Sequence, residues 1–227
     1  MKRRAPKGCT PFALMLPLGV IEENSGEEMK IYDISQEVFG CEVYPNDPKP
    51  IKNVINDMSR GDLYNLTEFS MCAHNGTHID APSHFIVDGK SVDEILLEKT
   101  VGYAYVAELS GDMDERAALE LINRAERADK EAAKRLLIKG NATVTEAAAR
   151  VFAEKGIYLV GNEAQTVGPE SSPMAVHKIL LSAEVVLLEG IRLSQVEEGV
   201  YFLSAAPLNL GGADGSPCRA FLIEKGF

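Results

Sequence analysis

Three of the four histidines in this 227-residue chain fall within eleven positions, in the run His74-Asn75-Gly76-Thr77-His78-Ile79-Asp80-Ala81-Pro82-Ser83-His84-Phe85. The fourth, His177, stands twelve residues before Glu189. Imidazole nitrogens and carboxylate oxygens are ordinary ligands of zinc, manganese and iron. Thiolates do not join them: Cys9, Cys41, Cys72 and Cys218 are widely spaced and make no Cys-x-x-Cys pair. That spacing excludes the common thiolate zinc motifs and offers no disulfide framework. A donor set of nitrogen and oxygen suits Zn²⁺ or Mn²⁺, either of which lowers the pKa of a bound water from about 15.7 toward about 7. The chemistry within reach is therefore hydrolysis by metal-activated water, with an imidazole near its ordinary pKa moving the proton. A serine nucleophile is disfavoured, because the chain has no Gly-x-Ser-x-Gly elbow.

The spacing also restricts the backbone. His74 and His78 are four apart and would share a helical face, but Asp80 and His84 would lie about 240° and about 280° around from His74. Gly76, Thr77, Ile79 and Pro82 further disfavour a helix. In an extended chain, positions 74, 78, 80 and 84 all point to one side. His78 and Asp80 would then be about 7 Å apart and able to share an ion, whereas His74 would be about 13 Å from His78. Asn75-Gly76 is a turn or bulge signal, and a bend there would return His74 to the others. Pro82 can turn the chain again so that His84 approaches. Gly76 permits close backbone approach, and the Thr77 hydroxyl is a candidate support for a ligand.

The elements that must hold these residues read as an irregular mixture. Strands are expected at residues 30–34, 63–73 (leading into the histidines), 101–109, 135–138, 157–160, 185–188, 201–205 and 219–223. Residues 51–57 are ambiguous, and 45–50, with three prolines, are a loop. A short helix is expected over 91–97, one or two charged helices over 114–134, and a helix from Thr145 that stops at Gly156. Ser172-Pro173 reads as an N-cap and first helical residue of a helix carrying His177, with Glu189 ending the next strand. Residues 211–215 read as a loop in which Asp214 stabilises a glycine-rich turn. The pattern points to an α/β or α+β domain with a mixed sheet.

One domain spanning residues 29–227 is the simplest division of this length. Residues 1–28, with Met1-Lys2-Arg3-Arg4 and an apolar run broken by Pro17, are expected to be an extension outside the core. A cytoplasmic location is expected, with export through this atypical segment as the alternative. The formal net charge of −11 argues against a general nucleic-acid or anionic-membrane binder.

The run His74-x-Gly76-Thr77-His78-x-Asp80-x-Pro82-x-His84-Phe85 resembles the signature of the cyclase family of metal-dependent hydrolases, which includes bacterial kynurenine formamidases and isatin hydrolases. Asp33-Ile34-Ser35, Tyr44-Pro45-Asn46-Asp47, the stretch from Gly156 to Gly161, Pro207-Leu208 and the segment from Gly212 to Ala220 resemble further family segments in order. The likeness spans about residues 30 to 223. It implies a single α/β domain of swivelling β/β/α kind, a mixed sheet flanked by helices. It implies that His74, His78 and Asp80 bind one metal. Asp80 would bridge to a second ion held by His177 and Glu189, giving one or two ions, and His84 would be the catalytic acid/base. The implied substrate is a small linear or cyclic amide, as in arylformamidases, and the implied assembly a homodimer or homotetramer. Two features depart from the family: Asn162 stands where an aspartate is usual, and residues 112–134 are unusually helix-rich. Asn162 and the following Glu163 are candidate substrate contacts. A member that keeps the metal but has lost catalysis, and a lactone or ester hydrolase using the same residues, are the competing readings.

Overall fold

Four parallel strands form the centre of the protein. In this computed structural model, which describes residues 29–224, β5 (Val101–Glu108), β7 (Arg135–Lys139), β9 (Leu159–Asn162) and β10 (Val186–Glu189) pair side by side in that order. Each step to the next strand passes through a helix, α1 (Glu115–Ala128), α2 (Glu146–Glu154) and α3 (Met174–Ser182). Parallel neighbours need such crossovers. Antiparallel strands extend the sheet on both sides. Beyond β5 lie β11 (Gly199–Ser204), β13 (Phe221–Glu224) and β1 (Ile31–Asp33); beyond β10 lie β4 (His78–Asp80) and β12 (Gly215–Pro217). A hairpin of β2 (Ile51–Asn56) and β3 (Leu66–Ser70), and a short parallel pair of β6 (Gly111–Met113) with β8 (Ala142–Val144), stand outside this nine-stranded sheet. The expected α/β class with a mixed sheet is what the chain forms.

Alternation along the central strands builds two cores. Tyr105, Ala107, Leu136, Ile138, Val160 and Leu187 face the helices, whereas Ala104, Val106, Leu137, Leu159, Val186 and Leu188 face the other way. Strands buried on both sides read as continuous apolar runs, which is why these were legible. α1 buries Ala118, Leu121, Ile122 and Ala125, a three-and-four spacing along one face, and Asp114 caps it by accepting the Ala117 N–H at 2.8 Å. α2 starts at the Thr145 cap, and Gly156, at φ 66°, terminates it as its position suggested. Among the described residues, no helix is long and apolar enough to cross a membrane.

Several boundaries differ from those expected. Residues 91–97 do not form a helix: two three-residue 3-10 turns, Val92–Glu94 and Leu97–Lys99, flank extended Ile95 and Leu96. The competing bonds are tertiary. Val92 N–H donates to Ala213 O, and the Asp93 carboxylate accepts Gly212 N–H. α3 starts one residue later than Ser172-Pro173 suggested, because Pro173 is the cap whose carbonyl accepts His177 N–H. The strand expected over 63–73 is confined to β3, and the ambiguous 51–57 becomes its partner β2. The end of the loop expected over 211–215 joins the sheet as β12. Residues 1–28, expected to be an extension, lie outside the described residues.

Candidate metal centre

Strand register decides which side chains meet. His78 and Asp80 point to one face of β4, while Ile79 between them points to the other and is fully buried in the second core. Antiparallel β10 sets Glu189 opposite His78 and Leu187 opposite Asp80. Directly opposed residues share a face, so Glu189 joins the histidine side. α3 packs across that side through Val176, Leu180 and Leu181, and delivers His177. On the other flank, β12 sets Gly215 opposite Asp80. A Cβ on Gly215 would lie 2.5 Å from His74 Cε1, so the absent side chain makes room for that ring.

His74 reaches the group through the turn foreseen at Asn75-Gly76. Gly76 has φ 64°, Cys72 N–H donates to Asn75 Oδ1 at 2.9 Å, and Gly76 N–H donates to Glu42 O. The bend brings His74 Nδ1 to 2.8 Å from Asp80 Oδ1. His78 Nε2 lies 3.3 Å from the same oxygen, and His177 Nε2 lies 3.5 Å from Asp80 Oδ2. Glu189 Oε1 is 3.2 Å from His177 Nε2 and accepts Val167 N–H at 2.7 Å. Glu189 Oε2 is 3.6 Å from His78 Nε2. Three compact groups of ligand-type side chains result among the described residues: His74 with His78 and Asp80, and Asp80 with His177 and Glu189, share one buried aspartate, while His74, His84 and Asp214 make a third, more exposed group.

Two of the rings have their tautomer set by the backbone. His78 Nδ1 sits 3.0 Å from Gly76 O, and His177 Nδ1 sits 2.9 Å from Pro173 O. A carbonyl can only accept, so each Nδ1 carries a hydrogen and each Nε2 faces the carboxylates, where it holds a proton for them or, once that proton is displaced, offers a lone pair. Asp80 and Glu189 are 1% and 2% exposed, and their side-chain partners among the described residues are imidazoles, with no lysine or arginine. Two buried carboxylates need cationic compensation. Without an ion the protons must supply it: burial opposes charge on His74 and His177, yet Asp80 and Asp214 on the first, and Glu189 and Asp80 on the second, raise both to about 9. Burial opposes charge on His78 and Asp80 too, yet Asp80 and Glu189 raise His78, and His74 and His78 hold Asp80 well below the usual carboxylate range. Preset lone pairs, buried anions and compact spacing fit a divalent cation in place of those protons.

His84 sits at the rim. Its ring stacks on His74 with centroids 4.0 Å apart, touches Phe85 edge-on, and is partly open to solvent. Burial and the nearby His74 charge outweigh Asp80 and Asp214 and push its pKa below 6.5. Sequence reasoning missed Asp214, which was assigned to its turn. Its Oδ2 lies 3.0 Å from His74 Nε2 and 3.2 Å from His84 Nδ1. No spacing rule links positions 74 and 214; only β12 lying beside β4 brings them together. The remaining candidates fall elsewhere. The Thr77 hydroxyl donates to Gly190 O and accepts from Gln36 N–H, tying the turn to the residue after Glu189 without reaching a ligand side chain. Glu163 accepts Gly140 N–H through one oxygen and Leu193 N–H through the other, so this candidate substrate contact braces two loops. Asn162 donates to Thr166 O, and its buried Oδ1 has no protein partner among the described residues.

Residues 29–169 match the family described as "Putative cyclase". A kynurenine formamidase of Erythrobacter litoralis is 32% identical over 211 residues, covering 87% of this chain and 95% of that protein. The chain belongs to this cyclase family. A solved family structure, a predicted metal-dependent hydrolase from Bacillus stearothermophilus, is 31% identical with a TM-score of 0.70, covering 87% of this chain and all of that one. Isatin hydrolase A from Labrenzia aggregata, at 23% identity and TM-score 0.73 over 86% of this chain and 93% of that one, shares the fold. The cyclase match begins at Met29, where the described structure also begins.

Proposed function

We propose that this cyclase-family chain is a metal-dependent hydrolase that cleaves the C–N bond of a small linear or cyclic amide, as an arylformamidase does. The observation that carries this is the pair of ligand groups sharing Asp80, with His84 stacked at their open side. The kynurenine formamidase relative supports the amide class. His74, His78 and Asp80 would hold one Zn²⁺ or Mn²⁺, and Asp80, His177 and Glu189 a second. Bound there, such ions supply Lewis acidity and water of lowered pKa. The chain's own part is to keep the ligand lone pairs aimed, through the Gly76 and Pro173 carbonyls, and to move a proton. His84, neutral at pH 7 because burial lowers its pKa, takes the proton of the attacking water and returns it to the leaving nitrogen. The test uses N-formylaniline as probe: the purified chain should hydrolyse it, lose activity on chelation, and recover with Zn²⁺ or Mn²⁺. Hydrolysis indifferent to chelation would refute the metal assignment.

Asn162 favours a second reading, a metal-loaded binding member without catalysis, since an amide there cannot ionise as the family's usual aspartate does. A chain that takes up metal yet is inert toward formamides, lactams, lactones and esters would support it. Hydrolysis of esters and lactones alone would place the same residues in a lactone or ester hydrolase.

We propose further that the chain works as a homodimer joined through the β2–β3 hairpin, with a tetramer built from such dimers as the larger form. An isolated two-stranded hairpin is marginal in water, and this one exposes Ile51, Val54, Ile55, Leu66 and Phe69, with Leu63 at its tip 93% exposed. A second copy, carrying the same apolar arm, is the occupant that symmetry favours. A cytoplasmic location is proposed on the three described cysteines, all free thiols.

A further inference from the structure

One carboxylate oxygen holds two imidazoles at the candidate centre. Asp214 Oδ2 is 3.0 Å from His74 Nε2 and 3.2 Å from His84 Nδ1, and the two rings lie stacked, 28° from parallel. The aspartate is held there from several directions. Its carbonyl accepts Ala81 N–H at 3.0 Å, its neighbour's carbonyl at Ala213 accepts Val92 N–H at 2.9 Å, and Gly212 N–H donates to Asp93 at 3.0 Å. The next residue, Gly215, lets the loop lie against the His74 ring, since a Cβ there would also come within 2.8 Å of Ile79 O. The loop thus delivers one carboxylate to two rings that lie more than 120 residues away in the chain.

His74 differs from the other ligand imidazoles. The Nδ1 hydrogens of His78 and His177 go to backbone carbonyls, whereas His74 turns Nδ1 toward Asp80 and Nε2 toward Asp214. A carboxylate on the outer nitrogen of a ligand imidazole fixes the tautomer and ring orientation and raises ligand basicity. The same oxygen holds His84 by Nδ1, which leaves Nε2 as the atom that takes the proton. We propose that Asp214 is a positioning residue that sets His74 as a metal ligand and His84 as a proton carrier through one shared oxygen. This rests on the metal-dependent reading above.

The experiment compares Asp214→Ala and Asp214→Asn with the unmodified chain, after circular dichroism melting has established that each is folded. Zn²⁺ affinity is read by competition with a chromophoric chelator, and N-formylaniline turnover is measured with Zn²⁺ saturating. Asp214→Ala is expected to weaken Zn²⁺ about 10- to 100-fold, the usual cost of losing such an outer partner. At saturating Zn²⁺ it should lower kcat with little change in KM, and Asp214→Asn, which keeps an acceptor oxygen, should recover part of both losses. In a His84→Ala background, Asp214→Ala should lower kcat no further, because residues acting through one another are not additive. Unchanged affinity and kcat in both variants would overturn the proposal, as would a full additive loss in the double variant. A lower Co²⁺ coordination number in Asp214→Asn than in the unmodified chain, read from the d–d band intensity, would make Asp214 a ligand and overturn the positioning role. Failure of the underlying reading looks different: the unmodified chain itself would bind no Zn²⁺.

Discussion

At the scale of single residues, His84 carries the clearest prediction. His84→Ala should lower kcat for N-formylaniline by about 10²- to 10⁴-fold, the usual worth of a placed acid/base, while metal content by atomic absorption stays unchanged. Equal turnover would remove His84 from the mechanism. Its pH behaviour follows from burial, which pushes the pKa below 6.5. The neutral, proton-accepting form then dominates at pH 7, and kcat should fall only as pH drops through a value lower than 6.5. A kcat–pH profile whose acid limb lies above that value would contradict the assignment. The ligand-type residues were legible because imidazole and carboxylate chemistry is written in the residue letters. Asp214 and Glu163 were not, because what a carboxylate does depends on which nitrogen faces it. Two backbone amides occupy Glu163, and two imidazoles meet Asp214.

Elements set the tolerance of the centre. β4 is three residues long, yet it carries His78 and Asp80 between β10 and β12. Gly215→Ala in β12 would force its methyl to 2.5 Å from His74 Cε1 and 2.8 Å from Ile79 O. Metal affinity should fall in this variant although no ligand has been changed; calorimetric titration with Zn²⁺ giving the unmodified affinity would show that the strand yields. Glu184, just after α3, ties that helix to Lys90, ahead of the first 3-10 turn, at 2.6 Å and to Lys99, in the second, at 3.3 Å. Lys90 first, then Lys99, holds its pKa below 4.5. A depressed carboxylate pKa stabilises the fold above the unfolded value, and that stability is lost as pH falls through the folded value. Glu184→Gln should therefore cost stability at pH 7, by less than about 1 kcal/mol for so exposed a pair. The cost should vanish toward pH 3, as urea melts at both pH values would show. The helices and central strands were readable from periodicity and continuous apolar runs. β12 and the turns over 92–99 were not, since backbone bonds to distant segments create them.

For the whole molecule, the two cores and the exposed arm lead to different predictions. Phe152 on α2 is fully buried among α1, α3 and the sheet. Phe152→Ala should destabilise the fold by about 3–5 kcal/mol, visible as a lowered denaturation midpoint. The hairpin should matter to assembly instead. Ile55→Glu with Leu63→Glu changes side chains exposed in the single chain, so the melting of the monomer should persist while sedimentation shows the dimer mass falling to that of one chain. A chain already monomeric before substitution would end the dimer proposal. The sequence by itself determined the donor chemistry, the need for a turn at Asn75-Gly76, the α/β class and the family, because residue type and local spacing carry these. Only the tertiary structure decided that Glu189 faces His78 across a strand pair, that Gly215 leaves space for a ring, and that Asp214 joins two histidines. Those contacts depend on register between strands far apart in the chain, and register follows from packing the whole sheet.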